Sequence, residues 1–277
     1  MPHTLIVGCG DLGTEVGLRL TAAGHRVTGW RRMLPAGGSP IDFVSADVTG
    51  PVQVPDDTTH LVICLAPRRD GTDDYETTYL DGLRNVLAGL RTRPERAVLV
   101  SSTAVYGSLV GRVDEDTPIP DPSGRAAALL TAERMFRDAM GARGSVLRCG
   151  GIYGPGRTHL IDKVLSGTAV VPEGSAVTNR IHRDDAAAAV VHLLGHADAA
   201  PVYIGVDEEP AEMAEVLGFL AGRLGVPRPG TGAVTRERGG SRICDSARLR
   251  ATGFRFAYPS YRAGYAEMLE HPRERHP

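Results

Sequence analysis

A chain of 277 residues with 42% hydrophobic content suits one large α/β domain, or such a domain with a small second lobe. Its 31 basic and 33 acidic residues give a net charge of −2, which supplies neither the basic stripe that binds nucleic acid nor a polybasic membrane anchor. Residues 1–7 lack the cationic flank of a signal peptide, and the longest apolar stretch, residues 186–191, is too short to span a bilayer. We therefore expect a cytoplasmic protein that binds neither nucleic acid nor a membrane.

Metal and disulfide chemistry is also not expected. Four cysteines lie tens of residues apart, without a Cys-x-x-Cys pair: Cys9, Cys64, Cys149 and Cys244. This spacing favours buried free thiols over disulfides or a zinc site. His192 and His196 are one helical turn apart, but no glutamate lies between them as in the zincin motif. We predict no metal site.

The first predicted elements are a strand, a turn and a helix. Residues 4–7 form an aliphatic and β-branched run, and residues 12–23 carry apolar positions at helical spacing. The same patterns predict further elements, with strands at 26–30, 41–46, 60–65, 97–102 and 146–149 and helices at 75–90 and 125–140. Strands that alternate with helices imply an α/β fold with a doubly wound parallel sheet of the Rossmann type. Ligands of such sheets bind beyond the carboxyl ends of the strands.

The composition changes after residue 150, where loops rich in glycine and proline begin. A helix is predicted at 184–194, a strand at 202–205 and a loop at 227–240. We predict a Rossmann domain over residues 1–155 and a smaller C-terminal substrate lobe over residues 156–277. The helix at 184–194 is expected to pack back on the Rossmann domain.

A Gly-x-Gly-x-x-Gly motif stands directly after the first strand and opens the first helix. Gly8 permits the tight turn, Gly10 lets the backbone approach a pyrophosphate, and Gly13 allows close helix packing. The helix N-terminus presents N–H groups and a positive dipole end to phosphates. The motif predicts a dinucleotide site that also includes Asp11 and Leu12, with a purely structural glycine turn as the alternative.

The second strand ends in two arginines, Arg31 and Arg32, where a site for NAD would present an acidic residue to the ribose 2′-hydroxyl. A carboxylate would repel a 2′-phosphate, whereas a guanidinium group can bind it through two charge-assisted hydrogen bonds. We therefore expect NADP(H) rather than NAD(H); two solvated surface arginines are the alternative. Asp47, just past the third strand, is placed to meet the adenine amino group or serves as a simple turn residue.

Five further segments carry a family resemblance: VICLAP at 62–67, GLRNVL at 82–87, SSTAVYG at 101–107, LRCGGIYGPGR at 147–157 and NRIHRD at 179–184. In this order they resemble motifs of the extended short-chain dehydrogenase/reductase family, which includes epimerases and dehydratases that depend on NAD. Residues 247–259 are similar to a bacterial subgroup of atypical members. The resemblance implies that Leu65, Ala66 and Pro67 pass along the cofactor.

The resemblance also implies roles at the reacting end of the site. Ser102 falls where the family has its catalytic serine or threonine and would donate a hydrogen bond to a substrate carbonyl. Thr103 is the second choice, and a strand-end hydroxyl bonded to backbone is the alternative reading of Ser102.

Four residues are implied on the substrate side. Asn85 would orient the site, unless it is only an amide on a helix surface. Arg157, Arg180 and His182 would face the substrate, and arginines there suit a phosphate or carboxylate group.

The chain departs from the family at its acid/base pair. The family has Tyr-x-x-x-Lys, in which the lysine lowers the phenol pKa for proton exchange near neutral pH. Counted back from Glu133, the corresponding positions hold Arg125 and Leu129, and the chain's one lysine, Lys163, lies beyond this helix. Tyr153, in the loop that meets the nicotinamide, is the expected replacement.

The motifs together predict an oxidoreductase or epimerase that uses NADP(H), works as a monomer or homodimer, and acts on a small polar substrate. The arginines favour an anionic or nucleotide-sugar-like substrate. The missing acid/base pair leaves an alternative open, a non-catalytic NADP(H)-binding protein that senses redox state or scaffolds a partner.

Overall fold

The computed structural model describes residues 1–67, 75–233 and 241–276. Its strands, in chain order, are β1 (His3–Val7), β2 (Arg26–Arg31), β3 (Asp42–Ser45), β4 (His60–Ile63), β5 (Arg96–Ser102), β6 (Gly111–Val113), β7 (Gly144–Cys149), β8 (Gly151–Tyr153), β9 (Val171–Pro172), β10 (Val177–Thr178), β11 (Arg180–His182), β12 (Val202–Gly205), β13 (Ala211–Glu212), β14 (Thr231–Gly232) and β15 (Arg242–Cys244). Its α-helices are α1 (Asp11–Ala22), α2 (Gly82–Ala88), α3 (Gly124–Met140), α4 (His159–Leu165), α5 (Arg183–Gly195), α6 (Met213–Leu224), α7 (Ala247–Ala251) and α8 (Tyr261–Glu270).

Seven strands form one parallel sheet in the order β12-β7-β5-β4-β1-β2-β3. The chain runs outward from β1 to β3 and then returns to place β4 on the other side of β1. This reversal opens a crevice at the carboxyl ends of β1 and β4, where ligands of doubly wound sheets bind. The predicted doubly wound α/β fold is therefore confirmed.

Both faces of the sheet are covered, and for this reason all five residues of β1 are buried. Ile6 points into a core shared with α1 and α5, while Leu5 and Val7 point into the core shared with α2 and α3. The alternation follows from the two-residue period of a strand. α5 packs directly on α1, which brings the residues before α5 close to the glycine motif.

A third core joins α4, α6 and α8 in a lobe beyond the sheet, around Val216, Leu220 and Tyr261. Two short strand pairs join earlier segments to later ones, β8 with β11 and β6 with β15, and two more pairs, β9 with β14 and β10 with β13, lie within the later part of the chain. The sheet takes its edge strand β12 from beyond residue 155, so the sheet and the predicted domain boundary do not coincide. The division of the chain into two domains stays a prediction.

The region predicted as one helix at 75–90 is helical without a break from 75 to 88. It contains a π-helical turn at Thr77–Asp81 directly before α2, and this wider turn accommodates one more residue than an α-helical turn. Residues 234–240 of the predicted loop at 227–240 lie outside the described residues, while Thr231–Gly232 form β14. Across the described ranges, no helix combines the length and the apolar character that crossing a membrane requires.

Candidate dinucleotide site and its reacting end

The glycine loop has the geometry that the motif predicts. Gly8 has φ +79°, and a Cβ there would lie 2.6 Å from the carbonyl oxygen of Cys64, the residue after the neighbouring strand β4. A Cβ on Gly13 would lie 3.0 Å from the Gly8 carbonyl oxygen, so its absence lets α1 approach β1. A Cβ on Gly10 would meet nothing within 4 Å, because Gly10 faces a cavity. The backbone at Gly10 is therefore open to a ligand.

The cavity above this loop has a volume of about 440 Å³, within the range of small-molecule and cofactor sites. It runs from the end of β2, across the glycine loop, to the ends of β5 and β7. Its lining includes the predicted residues Gly8, Gly10, Asp11, Leu12, Gly13, Arg31, Arg32, Asp47, Leu65, Ala66, Ser102 and Arg157. Pro67, Asn85, Thr103, Tyr153, Arg180 and His182 are not among the lining residues.

Arg31 and Arg32 lie at the end of the cavity next to the loop that follows β3. The Arg31 guanidinium carbon is 5.6 Å from the ring centroid of Phe43. Asp47 accepts hydrogen bonds from the backbone N–H and the hydroxyl of Thr49, at 3.0 and 2.8 Å, so it shapes the turn and also lines the cavity. No acidic side chain occupies the last residue of β2 or the residue after it.

Asn85 supports this loop instead of facing the cavity. Its side-chain N–H donates to the carbonyl oxygen of Val48 at 2.9 Å, and Val48 lines the cavity. Asn85 thus holds the loop after β3 against α2, which places it at the cofactor end and not at the reacting end.

At the opposite end, Ser102 closes β5 and lines the cavity. Its hydroxyl oxygen accepts a hydrogen bond of 3.1 Å from the backbone N–H of Ala104 and so caps a 3₁₀ turn over Thr103–Tyr106. The hydroxyl hydrogen remains available for a second partner, since a serine hydroxyl is one donor as well as an acceptor. Thr103 is buried, and its carbonyl oxygen accepts from the Arg242 guanidinium at 2.9 Å.

A buried charged network lies beneath Ser102 and was not predicted from the sequence. Arg148 donates to both carboxylate oxygens of Glu133, the closest contact being 2.8 Å, and Ser101 donates to the same carboxylate at 2.6 Å. Arg148 also donates to the Tyr106 hydroxyl at 3.0 Å. Burial raises the pKa of Tyr106 to about 12, so this phenol stays protonated. The network fixes β5, β7 and α3 around the reacting end.

The two positions of the family's acid/base pair hold side chains that pack against their neighbours. The guanidinium carbon of Arg125 lies 4.5 Å from the ring centroid of Tyr75, and Leu129 is buried in an apolar cluster. The ring of Tyr79 lies 5.3 Å from that of Tyr75, and Tyr79 lines the cavity. Burial raises the pKa of Tyr79 above its usual range, and the positive charge of Arg125 counters part of that rise. Tyr79 lies in the π-helical turn, outside the sequence motifs that predict the site.

Tyr153 lies in the second lobe's core and not at the cavity. Its hydroxyl donates to the carbonyl oxygen of Ser260 at 3.3 Å, and its ring centroid is 4.6 Å from that of Tyr265. A Cβ on Gly264 would lie 2.0 Å from the Tyr153 hydroxyl, so α8 packs directly on it. Burial raises the pKa of Tyr153 above its usual range. This placement weighs against the predicted role of Tyr153 as proton donor.

Arg180 and His182 are also buried between the sheet and the lobe. His182 is fully buried, its Nδ1 accepts from the Asp184 backbone N–H at 3.2 Å, and it thereby caps α5. Burial lowers the pKa of His182 to about 4, so the ring is neutral at pH 7. Arg180 donates to the Thr178 hydroxyl and lies 3.7 Å from the Met213 sulfur. Both residues are positioned to join the layers and not to meet a substrate in this cavity.

Asp11, inside the glycine motif, is buried and surrounded by arginines. It accepts from Arg157 Nε at 2.6 Å and from Arg183 Nη1 at 3.0 Å, and Arg275 Nε lies 3.4 Å away. Arg183 stands between His182 and Asp184 in the motif at 179–184, and the sequence predicted no role for it. Arg275 comes from the far end of the chain, so only tertiary structure could reveal it.

The whole chain is similar to proteins of known family. Residues 4–205 match the NAD dependent epimerase/dehydratase family. The chain is 29% identical to protein YeeZ of Escherichia coli K12 in an alignment of 280 positions that covers 94% of this chain and 97% of YeeZ.

Two solved structures extend the similarity. A Methylobacillus flagellatus protein assigned as an NAD-dependent epimerase/dehydratase is 36% identical with a TM-score of 0.80, covering 97% of this chain and 98% of that one. The human epimerase family protein SDR39U1, solved with NADPH, has a TM-score of 0.78 at 22% identity, covering 97% of this chain and 99% of that one. The chain therefore belongs to the NAD dependent epimerase/dehydratase family, as an atypical member of the extended short-chain dehydrogenase/reductase type that its motifs predict.

Proposed function

We propose that this protein is an NADP(H)-dependent oxidoreductase or epimerase that acts on a small polar substrate. The observation that carries the proposal is that one cavity joins the glycine loop to Arg31 and Arg32 at one end and to Ser102 at the other. The open backbone at Gly10 suits a pyrophosphate, and the two guanidinium groups suit a ribose 2′-phosphate. The residues present thus fit a nicotinamide dinucleotide of the phosphorylated type.

The bound dinucleotide would supply hydride transfer at its nicotinamide ring. The chain's own contribution at that end is hydrogen bonding to the reacting oxygen. Ser102 lines the cavity with its hydroxyl hydrogen available, and Tyr79 is the phenol that lines it among the described residues. We assign Ser102 as the hydrogen-bond donor to the substrate oxygen and Tyr79 as the group that replaces the family's tyrosine. Because its pKa is raised, Tyr79 donates a hydrogen bond in its protonated form.

Arg157 supports an anionic substrate or cofactor group, since it lines the cavity while it pairs with Asp11. Arg180 and His182 are buried elsewhere, so the proposal does not extend to them. A phosphate or carboxylate substituent near Arg157 fits the predicted nucleotide-sugar-like class.

Fluorescence titration of NADPH and NADH tests the proposal. We expect NADPH to bind at least about tenfold more tightly, because charge-assisted hydrogen bonds to a phosphate contribute about 1.5–3 kcal/mol. The Arg31→Ala/Arg32→Ala double variant should bind both cofactors equally. Its matched control is Arg84→Ala/Arg91→Ala, which removes two exposed arginines outside the cavity lining.

Equal affinities in the parent protein, or a preference that survives the double substitution, would contradict the NADP(H) assignment. A screen of carbonyl compounds and sugar nucleotides tests the enzyme assignment separately. If NADPH binds tightly and none of these compounds turns over, the non-catalytic alternative replaces the oxidoreductase.

A further inference from the structure

The segment formed by residues 271–276 lies across the glycine loop, although it is remote in sequence. Arg273 donates to Asp184 at 2.9 Å, and His276 Nε2 lies 2.8 Å from the Glu15 carboxylate. The backbone N–H of His276 also donates to Asp11 at 3.3 Å. Three polar contacts therefore hold the segment against α1 and the start of α5.

The segment also packs tightly on the loop after β8. Gly156 has φ +64°, and a Cβ there would lie 2.3 Å from Cβ of Arg275 and 2.5 Å from its backbone nitrogen. No larger residue fits without displacing the segment, because real Cβ contacts are not that short. The glycine thus permits the backbone of residue 275 to sit beside the cavity, which Arg275 lines.

The charges at this place are arranged for an anion. Asp11 would by itself repel a pyrophosphate, because it stands in the loop that approaches the phosphates. Arg157, Arg183 and Arg275 surround it, at 2.6, 3.0 and 3.4 Å. The side chain of Arg183 is only 2% exposed and also contacts Glu15 and Asp184, whereas those of Arg157 and Arg275 are 22% and 34% exposed and line the cavity.

The guanidinium groups of Arg157 and Arg275 therefore lie at the cavity wall, beside the Asp11 carboxylate, which is also paired with the buried Arg183. A dinucleotide pyrophosphate carries two negative charges and would bind at the N-terminus of α1, beside both groups. Guanidinium groups bind phosphate oxygens through two parallel hydrogen bonds, which is stronger and more directional than a point charge.

We propose that Arg275 is a pyrophosphate-binding residue of the cofactor site, delivered by the 271–276 segment, which closes over the bound dinucleotide. The inference rests on the proposed function, because it takes the dinucleotide as the ligand of the cavity. Segment docking and cofactor binding then strengthen each other, since any interaction that favours one favours the other to the same extent.

The test uses the full chain with Arg275→Gln and, as a matched control, Arg255→Gln, which changes an exposed arginine outside the cavity lining. The probes are NADPH, ADP-ribose and adenosine 2′-monophosphate, the last of which has no pyrophosphate. We expect Arg275→Gln to weaken NADPH and ADP-ribose by about tenfold, the value of one charge-assisted contact, and to leave adenosine 2′-monophosphate unchanged. The control should leave all three affinities unchanged.

A second measurement follows the segment directly. Amide hydrogen exchange at residues 273–276 should slow when NADPH binds the parent protein, and Arg275→Gln should reduce this protection. Unchanged affinities for NADPH and ADP-ribose in Arg275→Gln, or exchange in the segment that ignores NADPH, would overturn the inference. If the parent protein binds neither NADPH nor ADP-ribose, the proposed function fails first, so the two failures are distinguishable.

Discussion

The two ends of the cavity differ in how they are built. At the cofactor end, the glycine loop from Gly8 to Gly13 and the arginines at and just after the end of β2 come from one stretch of sequence, and Arg157 and Arg275 reach its wall from much later in the chain. The reacting end draws on β5, β7, α3 and the π-helical turn, and there the family's paired residues are replaced by Arg125 and Leu129. The difference teaches that a glycine loop can keep its pattern while the chemistry at the other end of the cavity is rebuilt, because the turn at Gly8 and the close packing at Gly13 do not depend on the side chains of the reacting end.

The largest expected effect lies beneath the reacting end. Glu133→Gln leaves Arg148 buried without its carboxylate, and breaking a buried ion pair in this way costs about 3–5 kcal/mol. Urea unfolding should show this loss of stability, with the exposed Glu95→Gln as the control. A loss below about 1 kcal/mol, the typical value of a surface pair, would mean that the network is not what fixes this end.

At the cofactor end, Gly10→Val should weaken NADPH binding by about a hundredfold, because the new side chain occupies the space of the pyrophosphate and such overpacking costs up to about 3 kcal/mol. The fold should be retained, since a Cβ at Gly10 meets no protein atom within 4 Å. Gly38→Val, in an exposed loop, is the control for the change of residue type. Fluorescence titration and thermal unfolding measure both effects; tight binding by a folded Gly10→Val protein would reduce the loop to a structural turn.

Once a substrate is found, three substitutions separate the contributions of Ser102, Tyr79 and Tyr153 to catalysis. Ser102→Ala should lower kcat by about a hundredfold, the usual effect of losing one hydrogen bond to a developing oxyanion, and Tyr79→Phe should lower it by about ten- to a hundredfold. Tyr153→Phe removes only the contact to Ser260 and should keep kcat within about twofold. A large loss in Tyr153→Phe with none in Tyr79→Phe, at unchanged NADPH affinity, would return the proton donor to Tyr153.

A smaller effect concerns the buried His182 that caps α5. Burial lowers its pKa from 6.5 to about 4, so the unfolded chain takes up a proton that the folded chain does not. Stability should therefore fall as pH drops from about 6.5 to about 4, by roughly 1–3 kcal/mol. Urea unfolding of the parent protein and of His182→Asn, which retains an N-cap side chain, isolates this contribution.

Asp207 acts in the opposite direction, because burial raises its pKa to about 8 and its charged form destabilises the fold as pH rises. Asp207 contributes equally to the parent protein and to His182→Asn, so its effect cancels when the unfolding free energy of one is subtracted from that of the other. If this difference in unfolding free energy stays constant between about pH 6.5 and about pH 4, His182 titrates in the folded protein as it does in water.

Sequence patterns sufficed for much of the molecule. The buried runs of β1 and β4 and the amphipathic α1 predicted the doubly wound sheet, because their periodicity reflects burial on two faces. The glycine motif predicted the lining of the cofactor end, because the shape of that loop depends on residues a few positions apart. The π-helical turn that presents Tyr79 could not be predicted, since periodicity does not distinguish one added residue in a helical turn.

The sequence by itself therefore determined the fold class, the family and the glycine loop, all of which rest on short local patterns and their order along the chain. Tertiary structure alone decided that Arg180, His182 and Tyr153 are buried between layers, because their neighbours are remote in sequence: Met213 of α6, Tyr258 before α8 and Tyr265 of α8. It also decided that Arg275 reaches Asp11, 264 positions away along the chain. Contacts of that separation depend on how the lobe packs on the sheet, and local spacing carries no record of them.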